Sequence, residues 1–376
     1  MLSYNIMYLF LFLFPFFLKK KYSNLVCFLL LLVFMSVRYN VGWDFRWYYP
    51  LGTKFQFLNY SIFLDKNEAL GLMINDFDKY MWNYARLEFL NKVLYHITWY
   101  LKQPQIIIVL YSFLSLIFIK LGFDNIKEKK NIKYAWLFFY CFPLFFFKYV
   151  NIMRQSVAIS IVFYSYKFLV KKSLKNFLIC ILIATLFHSS AKYMVVLYLL
   201  NYIKFKRIHF FVIYFISFFS KTLLISLIDK ISLFNKYMLY IRGQHKGGGE
   251  KIYYIILLLG LIIILLEKKL ILRSYKNKIA IYIVFIGCCI YMALNGAGHI
   301  GMRSSVYFLI FILYLIPSIL NITRYKNNLL KLTFVFMLFV LLNINLILDQ
   351  KNLGRTEFVP YRIFFLNPIK LEDWEP

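Results

Sequence analysis

Acidic residues, long polar stretches and usable cysteine spacings are all scarce in this chain. Only 16 of its 376 residues are Asp or Glu, against 45 Lys or Arg, for a formal charge of +29. No polar stretch is long enough to fold as a soluble domain, and 62% of residues are hydrophobic and 21% aromatic. With a mean hydropathy of +0.66, that composition excludes an ordinary soluble enzyme and fits a multi-pass membrane protein. The cationic excess does not indicate nucleic acid. Lys and Arg fall in short blocks between apolar runs, which is the positive-inside pattern. Five cysteines (Cys27, Cys141, Cys180, Cys288, Cys289) lie inside apolar segments and read as small buried hydrophobes. They offer no disulfide framework and no metal-ligand spacing, and there is no helical His-x-x-x-His, so no metal and no cofactor is expected. The first apolar run lacks a charged leader and a small-residue cleavage site, and reads as a retained span.

Apolar runs bounded by charge place spans near residues 4–18, 23–37, 105–123, 134–150, 155–170, 176–188, 191–203, 208–227, 252–266, 279–294, 304–320 and 329–348. The expected fold is one all-α integral membrane domain over 1–376, a polytopic bundle of about 11–12 transmembrane helices. Basic blocks at Lys19–Lys21, Lys127–Lys133, Lys171–Lys175, Lys204–Arg207, Lys268–Lys278 and Arg324–Lys331 occupy every second loop. They belong in the cytoplasm, with both termini outside. Residues 176–203 have basic blocks on both sides, yet as one helix they rise only about 42 Å. Two full crossings of a core about 30 Å thick are out of reach. A hairpin of two short helices joined at His188-Ser189-Ser190 resolves the conflict. A single tilted span is the alternative and would invert everything downstream.

The long loop after the second span, 38–104, is expected outside, as is a second one at 229–251. The first is rich in Trp and Tyr, which suit the membrane interface and also suit stacking on sugar rings. Its part from Tyr80 to Tyr100 reads as an amphipathic helix on the outer surface, with Glu88 paired locally to Arg86. In the second loop, Gly243 to Gly249 matches no phosphate-loop spacing. Polar residues intrude where apolar ones dominate: Arg38 to Asp44, Arg154-Gln155, His188, and His299 to Arg303. Laid on the spans, all of them reach the same face of the bilayer. Ionisable groups are costly beside hydrocarbon, so such a cluster points to a functional site.

The order of these residues resembles a known family. Arg-x-x-x-Gly-x-Asp runs from Arg38 to Asp44, and Asn-x-x-Arg-Gln-x-x-Ala from Asn151 to Ala158. Ala-x-x-x-His-x-Ser-Ala follows from Ala184 to Ala191, then Arg-x-x-x-Tyr-Phe from Arg303 to Phe308, and Pro360-Tyr361 near the end. Together they resemble the EpsG branch of the Wzy-type polysaccharide polymerases. The resemblance implies a bacterial inner-membrane glycosyltransferase that is independent of metal. It would join undecaprenyl-diphosphate-linked oligosaccharide repeats into O-antigen, capsule or exopolysaccharide at the extracytoplasmic face. A chain-length co-polymerase is an implied partner.

That chemistry suits the residues. A diphosphate leaving group calls for arginine, whose planar fork grips phosphate oxygens in pairs. Arg154 and Arg303 are the first candidates for substrate binding, with Gln155, Arg38 and Glu88 beside them; Arg38, ending a span, would equally snorkel to the interface. His188 and Asp44 compete as the base for the acceptor hydroxyl. An imidazole titrates near working pH, while Asp44 has Gly42 nearby to admit a ligand and also has Arg38 or Arg46 to pair with. His299, in the turn from Asn295 to Gly301, is a weaker choice. An O-antigen ligase would use the same donor and differ only in acceptor. A lipid-linked-sugar flippase would instead place its polar groups near the midplane, in related halves.

Overall fold

With hydrocarbon on most sides, backbone N–H and C=O groups must be satisfied within helices. The computed structural model describes residues 1–17, 22–59, 62, 79–126, 131–230, 250–271, 274–294, 299–321, 327–351 and 358–366. These are all-helical, apart from an isolated antiparallel bridge between Arg38 and Ile363. Residues 231–249, most of the expected second outer loop (229–251) and including its Gly243–Gly249 run, lie outside the described residues, as do 63–78 of the expected first loop and residues 295–298.

Two apolar helices, α1 (Leu2–Phe17) and α2 (Ser23–Ser36), open the chain. The segment after α2 forms α3 (Phe45–Gly52), a 3-10 turn (Phe55–Asn59), α4 (Lys79–Ala85) and α5 (Phe89–Tyr100). Next come α6 (Gln105–Phe123), α7 (Ile132–Cys141), α8 (Phe146–Asn151), α9 (Met153–Val170) and α10 (Leu174–Phe187), then a 3-10 helix (Ser189–Asn201). The last group is α11 (Arg207–Lys230), α12 (Glu250–Ile271), α13 (Tyr275–Ala293), α14 (His299–Leu309), α15 (Ile312–Ile319) and α16 (Asn327–Lys351). Among the described residues three helices, Gln105–Phe123, Tyr275–Ala293 and Asn328–Lys351, are long and apolar enough to cross a membrane; α14 and α15, bent by 49°, make a fourth if taken as one broken span.

Two expected spans are therefore broken. The segment 134–150 divides into α7 and α8 around Pro143, which restricts Phe142 before it to extended backbone (φ −75°, ψ 125°). The segment 304–320 bends between α14 and α15. The expected surface helix from Tyr80 to Tyr100 also differs. It is interrupted at Arg86–Glu88, and its second half is built into the protein, with Tyr95 and Trp99 fully buried. Trp99 Nε1 donates to the Leu51 carbonyl (3.1 Å) and Tyr95 Oη to the Tyr48 carbonyl (3.1 Å), fastening α5 to α3.

At the centre lies α9, packed along α6 on one side and α10 on the other. It is buried on nearly every face, and its serines satisfy themselves: Ser156 Oγ donates to Met153 O (2.7 Å), Ser160 Oγ to Ser156 O (2.9 Å) and Ser165 Oγ to Val162 O (2.7 Å). Small side chains of this kind let membrane helices approach closely. Gly122 of α6 serves the same contact, since a Cβ there would run into the ring of Phe163.

Arg38 and the C-terminal segment close the C-terminal end of α2. Tyr39 N donates to Arg362 O (2.9 Å), and Phe364 N to Val37 O (3.0 Å). Tyr361 stacks on Phe34 at 4.3 Å and 7°, its hydroxyl bonded to the Phe34 carbonyl. The Pro360-Tyr361 motif is thus a clasp on the second helix.

The segment 174–201 folds as a hairpin. From the second limb, Tyr198 Oη donates to Lys172 O (2.7 Å), in the turn before the first limb, and Asn201 Nδ2 to Leu169 O (3.1 Å), at the end of α9, so the chain returns to where the hairpin began. The return limb is a 3-10 helix, whose rise of about 2.0 Å per residue lets a short segment cover more distance than an α-helix. A 3-10 helix repeats every three residues, and its buried side chains are Ala191, Met194, Leu197 and Leu200. Reporters fused after Ser173 and after Lys204 will report the same compartment. Opposite compartments would mean that this segment crosses the membrane once.

Candidate functional site

The joint between α8 and α9 generates the site. Ile152 turns the chain (φ −99°, ψ 56°) and starts a new helix, placing Arg154 in its first turn. A guanidinium there must find partners, because an unpaired charge beside apolar surface is costly. Arg154 Nη1 donates to Glu88 Oε2 at 2.6 Å and Nε to Tyr48 Oη at 2.7 Å, with the guanidinium carbon 6.0 Å from the Tyr48 ring centroid. Among the described residues nothing bonds Nη2. The Arg154 and Glu88 side chains are 28% and 20% exposed, so the pair borders an accessible space.

Glu88 is held from several directions. Its Oε2 also accepts from Asn91 Nδ2 (3.1 Å), and its Oε1 from the backbone N–H of Ser189 (3.2 Å). Glu88 holds the N-cap position of α5 without a side-chain capping bond there, while Ser189, whose N–H it accepts, starts the 3-10 helix, so the carboxylate lies near two helix N-termini, where negative charge is favoured. Asn91 is fixed in turn: Nδ2 donates to Phe187 O (2.8 Å) and Oδ1 accepts from Tyr111 Oη (2.9 Å). The expected local pair of Glu88 with Arg86 does not form. Arg86 lies over the Trp82 ring (6.0 Å), and the carboxylate turns instead to Arg154.

His188 sits at the tip of the hairpin, where Glu88, Arg154 and Arg303 are its charged neighbours. Its Nδ1 lies 2.7 Å from Ser190 Oγ, and Ser190 Oγ is 3.0 Å from the hydroxyl of Tyr307. Gln155, buried in the first turn of α9, donates through Nε2 to the backbone carbonyl of Arg303 (2.8 Å). That bond ties α14 to α9 and brings the exposed Arg303 to the same cluster.

Five of the residues picked from the sequence therefore come together: Glu88, Arg154, Gln155, His188 and Arg303. Two stand apart. Asp44, half-buried, holds the N-cap position of α3 one turn before Tyr48, whose backbone N–H donates to its carbonyl (3.1 Å). Arg38 is 1% exposed and its fork is committed inward. Nη1 donates to Met35 O (2.6 Å) and Ser112 Oγ (3.3 Å), and Nη2 to Met153 Sδ (3.0 Å) and Val150 O (3.5 Å). Val150 and Met153 flank the turn at Ile152, so Arg38 braces the joint that presents Arg154. The side chain of His299 lies outside the described residues. Among the described residues no three of His, Cys, Asp and Glu gather as metal ligands would.

Sequence reasoning passed over Tyr48, Asn91, Ser190 and Tyr307. A signal existed for two of them: Tyr307 stands four residues after Arg303, and Ser190 two after His188, inside the motifs that drew attention to those residues.

The helices and the polar cluster define a multi-pass membrane protein with a charged site framed by α3, α5, α9, α14 and the hairpin tip. The profile of the EpsG family matches residues 21–363, nearly the whole chain, and the protein belongs to that family, a Wzy-type polysaccharide polymerase family. No match stands out among curated proteins or among solved structures.

The pair at the centre has a measurable consequence. Glu88→Gln removes the charge facing Arg154 and should cost about 1–3 kcal/mol of stability, read as a lower melting temperature of the detergent-solubilised protein. Adding Arg154→Met to that variant should recover part of the loss, because no unpaired charge is then left. A Glu88→Gln protein as stable as wild type would show that the ion pair does not hold the site together.

Proposed function

We propose that the protein polymerises polyprenyl-diphosphate-linked oligosaccharide repeats at the extracytoplasmic face of a bacterial inner membrane, as a single polytopic domain of about 11–12 crossings. Arg154 carries this reading: a guanidinium oriented by a carboxylate and a phenol, with one end left over, on a chain of this family. Its Nη2 end, together with Arg303, suits the two phosphates of the donor. The products would be O-antigen, capsule or exopolysaccharide, with a chain-length co-polymerase as partner.

In the reaction the acceptor hydroxyl oxygen attacks the anomeric carbon of the donor glycan. The bond from that carbon to the diphosphate oxygen breaks, and its electron pair leaves with the diphosphate. Arg154 and Arg303 stabilise the charge that develops there, which is where fixed donors act most strongly. The hydroxyl proton goes to His188, which shares the cluster with both arginines. Asp44, at the start of α3, is the alternative base. Glu88 already accepts from Arg154, Asn91 and Ser189, so it orients the arginine.

Ligase and flippase readings are separated from this one by surface polysaccharide on a gel. A strain lacking the protein should carry glycans of a single repeat. Arg154→Ala at wild-type membrane levels should fail to restore the ladder, and Arg154→Lys should restore it only partly, having a charge without the fork. The loss for Ala should reach about a thousandfold in rate. Absence of all surface glycan in the deletion strain would contradict polymerisation and favour ligation or transport.

A further inference from the structure

The hairpin that carries His188 at its tip has a second feature at its base. There the turn into α11 and the first turns of that helix form a cavity of about 340 Å3, lined by Ile203, Lys204, Phe205, His209, Val212 and Ile213. Its volume falls in the range of small-ligand sites. Most of the lining is apolar, and Lys204 and His209 supply its polar groups. One wall is fixed to α13. The Phe205 backbone N–H donates to Tyr282 Oη (3.2 Å), and the two rings meet edge-on at 4.7 Å.

The polar end of the cavity suits an anion. His209 Nδ1 accepts from the backbone N–H of Lys206 at 2.9 Å, so the neutral ring carries its hydrogen on Nε2 and donates from there. Lys204 adds an ammonium to the lining, with Lys206 and Arg207 exposed in the same turn. Lys278, its Nζ 5.5 Å from the Tyr282 ring centroid, brings a further cation from α13. Among the described residues no carboxylate pairs with any of these four cations, and Glu267, a neighbour of Tyr282, is buried.

From Val212 the apolar lining continues along α11. Val212, Phe215, Ile216 and Phe219 recur at intervals of three and four and form one stripe, on which Phe215 and Ile216 are 67% and 58% exposed. A cationic end joined to such a stripe complements an amphiphile with an anionic head and a hydrocarbon tail. Position decides the leaflet. Asn201 is bonded to Leu169 at the end of α9, whereas Arg154 stands in the first turn of the same helix. That helix of 18 residues rises about 27 Å, close to the ~30 Å of a hydrocarbon core. The cavity therefore meets the headgroup layer opposite the Arg154 site, out of reach of a head group bound there.

We propose that this cavity binds one anionic phospholipid, with its phosphate at Lys204 and His209 Nε2–H and an acyl chain along Val212, Ile213 and the stripe beyond. The lipid fills the gap between the base of the hairpin and α11. This requires only that the protein lie in a bilayer and is independent of the reaction proposed above.

Native mass spectrometry of the full-length protein in mild detergent reads the bound lipid directly. Wild type should retain one phosphatidylglycerol at least about fivefold more firmly than phosphatidylcholine. Lys204→Gln combined with His209→Gln should remove that preference. Both side chains are exposed, so the melting temperature should not change. Val212→Trp, which fills the apolar end and leaves both polar groups, should weaken retention as well. Equal retention of the two lipids by wild type would mean ordinary annular lipid and overturn the site, as would a preference that survives the double substitution. Displacement by inorganic phosphate, with Val212→Trp without effect, would mean a site for free anions and overturn the lipid assignment.

Discussion

Everything at the site depends on one ion pair, Arg154 with Glu88, formed where an apolar protein could least tolerate either charge alone. Their bond of 2.6 Å joins the first turn of α9 to the start of α5. Once the two charges are paired, the surroundings follow. Tyr48 has to approach on α3, Ser189 has to direct its N–H at the carboxylate, and the hairpin tip is drawn into the cluster with His188 on it. Pairing a buried charge seldom adds much net stability, and such pairs are better understood as fixing an arrangement. What this one fixes is a guanidinium with one end unspent.

A second layer keeps that arrangement in place. Arg38 uses its own fork on the joint between α8 and α9 and on α6, and the C-terminal segment clasps the helix that carries it. Two arginines of one motif-rich chain thus divide their work: the buried one positions, and the half-exposed one is presented. The small residues of α9 and Gly122 of α6 let the central helices pack closely enough for this bracing to reach the site.

Much of the helical layout was legible in the sequence, because length and hydropathy decide it. The expected 105–123 and 155–170 lie within a few residues of α6 and α9, and the break at His188 follows from basic blocks on both sides of a segment too short to cross twice. Other features were readable but were not read. Pro143 divides an expected span, and the period of three from Ala191 to Leu200 marks a 3-10 helix. The partner of Glu88 was of a different kind. Arg86 is near it in sequence and Arg154 is 66 residues away, and only the fold decides between them. Likewise, Arg38 and Arg154 look alike as span-end arginines, and their difference in exposure arises from the chain that closes over Arg38.

The central claim is that Arg154 and Arg303 form a seat for a diphosphate, and binding of a sugar-free polyprenyl diphosphate to the purified protein tests it without any turnover. Wild type should bind it saturably, and Arg154→Ala or Arg303→Ala should weaken binding tenfold or more at unchanged fold. Affinity untouched by both substitutions would contradict it.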